Sequence, residues 1–226
     1  FMAAPASFAI PQGTTERQWG FAESVEGYAR HGIRALTVRR SLVEEYGVTK
    51  AAKLIADAGL RVLGVSRCAS LTEDNPAQIV KNHDENRRAI ALAAELSATN
   101  LAMISSGLPE GSKDLAGARA RARDAVARLL PEARAAGVTL GLEAIHPMRV
   151  ASGCIWSTLG QANAVCEELG DGTGLIVDAY HVWWDPDLDG AIKAAQGRIV
   201  SFQISDWLRD TTAADEGTML HDVMEK

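Results

Sequence analysis

Short apolar runs alternate with longer stretches in which apolar residues recur every three or four positions, and the alternation continues along nearly the whole chain. Runs of the first kind read as strands buried on both faces. Stretches of the second kind read as amphipathic helices that cover them. A weak first strand is expected at Phe8 to Ile10. Phe21, Val25, Tyr28 and Ala29 then fall at helical spacing, and His31-Gly32 ends that helix. Further strands are expected at Ile33 to Val38, Leu60 to Ser66, Asn100 to Ser105, Val138 to Glu143, Leu175 to Asp178 and Arg198 to Ser205. Helices are expected at Thr49 to Ala58, from Asn75-Pro76 to about Ser97, at Asp114 to Ala136, from a Ser157 cap to Leu169, and at Asp187 to Ala195. Pro131 should bend the Asp114 helix or begin a second segment.

Glycine marks the passage from helix to strand in Gly32-Ile-Arg, Gly59-Leu-Arg, Gly137-Val-Thr and Gly197-Arg-Ile. It is the residue that takes the left-handed stop at a helix end without strain. Seven β/α units with no linker between them predict one α/β domain spanning 1–226. The parallel sheet is expected to close into a barrel. An open doubly wound sheet would carry a glycine-rich phosphate turn after its first strand, and Pro11-Gln-Gly-Thr14 is not one.

Strand parity points to a mouth. Thr139, Gly141 and Glu143 share one face of their strand against Val138, Leu140 and Leu142. Ile199, Ser201, Gln203 and Ser205 oppose Val200, Phe202 and Ile204, and Gly64 and Ser66 oppose Leu63 and Val65. Each strand thus has a bulky apolar face for the helices and a smaller or more polar face for a barrel interior. Glu143, Asp178 and Gln203 end strands five, six and seven, where neighbouring strands about 4.8 Å apart let their oxygens converge. Asp178 and His181 can share a pocket if the chain leaves the strand at about Ala179. Trp183, Trp184, Asp185 and Pro186 follow as a bulky loop that walls the site from water, with Pro186 near the first turn of the next helix.

Composition narrows the partners. A net charge of −6 and the absence of a basic cluster argue against nucleic acid. The run Arg119-Ala-Arg-Ala-Arg123 reads as the solvated face of a helix. Three cysteines without metal-type spacing suit reduced thiols in a cytoplasmic protein. No stretch approaches a membrane span, and Phe1 to Ile10 is too short for a signal peptide. Ser105-Ser106-Gly107 lacks a nucleophile elbow and reads as a strand-end turn.

Three segments carry a family resemblance: Gly141-Leu-Glu-Ala-Ile-His-Pro-Met148, Val177-Asp-Ala-Tyr-His-Val-Trp-Trp-Asp-Pro186 and Phe202-Gln-Ile-Ser-Asp-Trp207. With Gly107-Leu-Pro-Glu-Gly-Ser112 and Arg30-His-Gly-Ile-Arg34, they make the chain resemble the xylose-isomerase-like sugar phosphate isomerase/epimerase family from roughly Phe8 to Trp207. The resemblance implies a (β/α)8 TIM-type barrel, its last β/α unit missing or altered and its C-terminal end atypical from about residue 208, with a divalent metal (Mn, Mg or Co ahead of zinc) at its C-terminal mouth. It makes Glu143 the catalytic, metal-ligating carboxylate, Asp178 a second ligand, and His181 a contact to substrate that could relay a proton. His146 and Arg67 would lie near the same mouth, and Trp183 and Trp184 would stack on a sugar. Two departures stand out. Gln203 occupies a ligand position where the family usually has His, and no eighth strand with the family's last metal-binding Glu is visible, although Glu216 and Glu225 lie in the tail.

The resemblance implies proton abstraction by Glu143 next to a carbonyl, through an enediolate, in a sugar, sugar phosphate or inositol ketone. The partner is then a small carbohydrate, with neither nucleic acid nor membrane involved, and a homo-oligomer is compatible with the sequence. A barrel of weakened catalysis serving as a binding subunit is the alternative, for which Gln203 and the missing strand speak. An apurinic-site endonuclease ranks last, since it needs more metal-binding histidines and a basic groove. Among simpler roles, Glu143 could pair with Arg67 at the rim.

Overall fold

The computed structural model describes residues 8–204. The readings placed on Ser205, Trp207, Glu216 and Glu225 lie outside the described residues. The elements are β1 (Ile10–Pro11), α1 (Phe21–Arg30), β2 (Ala35–Arg39), α2 (Arg40–Tyr46), α3 (Val48–Asp57), β3 (Arg61–Ser66), α4 (Pro76–Glu95), β4 (Asn100–Met103), α5 (Leu115–Ala135), β5 (Thr139–Glu143), α6 (Leu159–Leu169), β6 (Thr173–Asp178), α7 (Ala179–Val182), α8 (Leu188–Ala194) and β7 (Ile199–Gln203). The seven strands pair in parallel in chain order, from β1 to β7. Residues after β1 and residues on β7 line one cavity, so the sheet wraps around it as a barrel wall.

The helix stops follow the glycine rhythm. At the end of α3, Gly59 has φ +70°, its N–H donates to Ala56 O, and Leu60 N–H donates to Ile55 O. Gly137 repeats this pattern after α5. After α4 the same turn falls on Ser97, with φ +53°. The outward faces of the strands supply the core. Leu36, Leu101, Leu140, Leu142 and Leu175 are fully buried and belong to one apolar cluster with Val25, Ile90, Val126 and Leu129 of the helices.

Several local expectations are corrected. β1 begins at Ile10, and Arg40–Tyr46 forms a helix that its short pattern did not announce. α5 runs through Pro131 as one helix. α6 is capped by Thr158, whose hydroxyl accepts from Gln161 N–H, while Ser157 N–H donates back to Gln161 Oε1. Pro186 lies near the first turn of α8 as expected, just before its Asp187 cap. The arginine run is not simply solvated. Arg119 donates to Ile155 O and to Gln161 Oε1 of α6, and Arg121 to Thr72 O, bracing α5 against α6 and the loops on either side.

Strand parity breaks at two register shifts. Leu36 pairs with Val62 but Thr37 with Gly64, leaving Leu63 as an extra residue. Its carbonyl accepts from Asn100 Nδ2 at 2.9 Å and from Thr99 Oγ1. Leu175 pairs with Ile199 but Ile176 with Ser201, leaving Val200 extra. Ile199 therefore sides with outward Leu175, and Val200 turns instead toward Gly174, where an added Cβ would come within 2.5 Å of it. Beyond the shift Ser201 and Gln203 face inward as expected, lining the cavity.

Candidate metal and active site

Glu143 ends β5 and Asp178 ends β6, and both side chains point into the barrel. Asp178 stands beside Gln203 of β7 in the strand register. It also caps α7, accepting from Tyr180 N–H at 2.9 Å. That single helical turn carries His181 back over the strand end, because positions three apart on a helix share a side. One ligand atom each from Glu143, Asp178 and His181 lies within 4.8 Å of the others, and all three residues are buried. A cavity of about 420 Å³ opens over them.

Electrostatics sets this group apart. The Glu143 carboxyl is pushed up to about 8, first by burial and then by the negative charge of Asp178, with no lysine or arginine opposing the shift. The pairing of Glu143 with Arg67 is not found among the described residues, although Arg67 does line the cavity. Two buried carboxylates with an imidazole form an oxygen and nitrogen donor set suited to a divalent cation, which would relieve their mutual repulsion.

The loops that carry the other site residues are pinned. Ser105, fully buried, accepts Ile155 N–H with its hydroxyl at 3.0 Å and lies 3.1 Å from Cys154 Sγ. It fastens the loop after β5 to the end of β4, which agrees with a strand-end turn and not with a nucleophile. His146 caps the turn Pro147–Arg149 through Nδ1, and its ring meets Trp184 edge-on at 5.6 Å. Burial lowers its pKa. Trp184 Nε1 donates to His181 O at 2.9 Å. Trp183 is 60% exposed. His146, Trp183 and Trp184 are not among the cavity-lining residues. His146 and Trp184 instead buttress the turn that bears His181. Asp185, buried, ties this turn to α6 by accepting Leu159 N–H at 3.0 Å.

Among the lining residues not singled out in the sequence are Gln12, Arg39 and Arg149. Arg39 ends β2 in the inward register of Thr37, so the strand-end rule that found Glu143 would have found it too. Gln12 and Arg149 sit in short turns with no periodic signal.

No helix among the described residues is long and apolar enough to cross a membrane. No curated protein sequence matches the chain. Among solved structures, a protein from Sinorhizobium meliloti 1021 is 40% identical, with a TM-score of 0.88 over 91% of this chain and 76% of that one. A D-psicose 3-epimerase crystallised in the presence of D-fructose is 17% identical, with a TM-score of 0.77 over 96% and 81% of the two chains. The IolI protein with a bound zinc atom is 16% identical, with a TM-score of 0.74 over 87% and 72%. These two likenesses are of fold. The sequence profile of the xylose isomerase-like TIM barrel matches residues 23–224, nearly the whole chain. With strand ends, register and sequence in agreement, the chain belongs to the xylose isomerase-like TIM barrel family.

Proposed function

We propose that the chain is a divalent-metal-dependent isomerase or epimerase of a sugar, sugar phosphate or inositol ketone. The observation that carries this reading is the buried Glu143, Asp178 and His181 group beneath a cavity of sugar size. Glu143 and Asp178 would hold the metal, with His181 or Gln203 completing the set. Mn, Mg or Co suits these donors ahead of zinc, because two of the three are hard carboxylate oxygens. When bound, the cation polarises a substrate carbonyl and acidifies the neighbouring C–H.

The chain's own residues then supply the proton chemistry. Glu143 takes the proton at a carboxylate oxygen, and its removal from water favours proton uptake. Return of the proton to the neighbouring carbon isomerises, and return to the opposite face of the same carbon epimerises. We assign the relay of that proton to His181, a reading supported by its position on α7 at the strand end. Solvent deuterium entering a ketose next to its carbonyl reads the step directly. Glu143→Gln should lower this exchange by roughly a hundredfold or more with the fold intact. Unchanged exchange would remove Glu143 from the mechanism.

The endonuclease reading lacks support in the geometry, since the one candidate metal group among the described residues holds a single histidine. The binding-subunit reading rests on the neutral amide of Gln203. It predicts that saturating Mn²⁺ leaves the protein unbound by metal in a calorimetric titration.

A further inference from the structure

The cavity has more positive than negative charge on its wall. Its lining contains Arg39, Arg67 and Arg149 but only two carboxylates, Glu143 and Asp178. Arg39 is already engaged, with Nη1 2.8 Å from Glu16 Oε1. A divalent cation on Glu143 and Asp178 would cancel their charge. Arg67 and Arg149 then remain as two guanidinium groups with no ion-pair partner among the described residues. A guanidinium stays charged throughout the physiological range.

Both arginines are placed by the chain around them. Arg67 has φ +75°, a left-handed conformation that residues with side chains avoid and that gathers at functional sites. The residues after it are clamped. Cys68 Sγ donates to Ile104 O, while Asn86, 1% exposed, accepts Ala69 N–H at 2.6 Å and donates to Ala69 O at 3.2 Å. Arg149 sits in a turn whose carbonyl accepts from Ser152 and Gly153 N–H. That turn lies so close to Gly107 that a Cβ there would strike the backbone of Ala151, and Leu108 N–H donates to Ala151 O at 3.1 Å. On the same wall Gln12 is buried, and its Oε1 has no hydrogen-bond partner among the described residues. A substrate hydroxyl would satisfy it.

We propose that the cavity selects a substrate carrying an anionic group, carboxylate or phosphate, gripped by Arg67 and Arg149, with a hydroxyl donated to Gln12. The proposal rests on the isomerase reading for its metal and goes beyond it to the charge of the substrate. Arg67 is exposed at the cavity and Arg149 half-buried, so water alone would meet them beside a neutral sugar, whereas an anion accepts paired N–H bonds from them.

Calorimetric titration of the full chain with inorganic phosphate and with glycolate tests this, both metal-free and with saturating Mn²⁺. At least one probe should bind, and Arg67→Asn and Arg149→Gln should each weaken it roughly tenfold or more while Mn²⁺ affinity stays unchanged. Asn is chosen because it tolerates the left-handed backbone. Should Arg67→Asn fail to fold, Arg149→Gln decides alone. Preference for phosphate marks a phosphate ester as the substrate, and preference for glycolate a hydroxy or keto acid. Failure of both probes, or binding unchanged in the variants, overturns the proposal and leaves the isomerase reading standing if Mn²⁺ binds. Arginine-dependent probe binding without Mn²⁺ binding supports the anion site and removes the metal.

Discussion

Buried next to Asp178, Glu143 keeps its proton to about pH 8, against 4.5 for the ordinary group, and folding stability is linked to that shift. Below about pH 4.5 both folded and unfolded chains are protonated there, and nothing is lost. As pH rises toward 8 the unfolded chain releases the proton while the folded one retains it, so the metal-free protein loses stability across this window. Acidic and basic groups elsewhere overlay the trend, but Glu143→Gln lacks this one contribution. Thermal melts of the two metal-free proteins should therefore diverge in favour of the variant from pH 5 to pH 8. A constant difference in Tm would mean that the carboxyl is not shifted. Added Mn²⁺ should raise the wild-type Tm more at pH 8 than at pH 5, because binding requires the proton to leave.

Among the elements, the end of α4 departs from its counterparts. Where α3 and α5 use glycine for the left-handed turn, α4 uses Ser97, which is exposed and free to change. Relief of the strain should outweigh the added freedom of the unfolded chain, so Ser97→Gly should stabilise by about 0.5 kcal/mol. In a domain of this size that raises Tm by about 1–2 °C. A fall in Tm would show that the serine is unstrained. The strands show where pattern reading succeeds and where it stops. Existence and order of the β/α units follow from periodicity and from glycine, both local. The extra residues Leu63 and Val200 do not, because a bulge is set by how two distant strands fit. Alternation carried across Val200 assigns Ile199 to the wrong face yet keeps Gln203 on the right one, since that count begins beyond the shift.

For the molecule as a whole, Glu143, Asp178 and His181 were legible because strand ends and one tight turn place them. His146 and Trp184 share segments with them, but a linear motif does not distinguish a group that faces the cavity from one that supports it from behind, and Trp183 is exposed. Of the cationic wall only Arg67 was legible, since Arg39 ends β2, Arg149 sits in a turn after β5, and only the sheet's curvature brings all three onto one cavity.

The Asp185 carboxylate that receives the Leu159 amide proton couples two parts of the molecule that the chain order keeps separate. The tryptophan-bearing segment cannot swing outward without uncovering the first N–H of α6. That amide thus becomes a clock: its deuterium uptake should keep pace with each excursion of the segment, and a ligand that quiets the excursion should slow a proton it never touches.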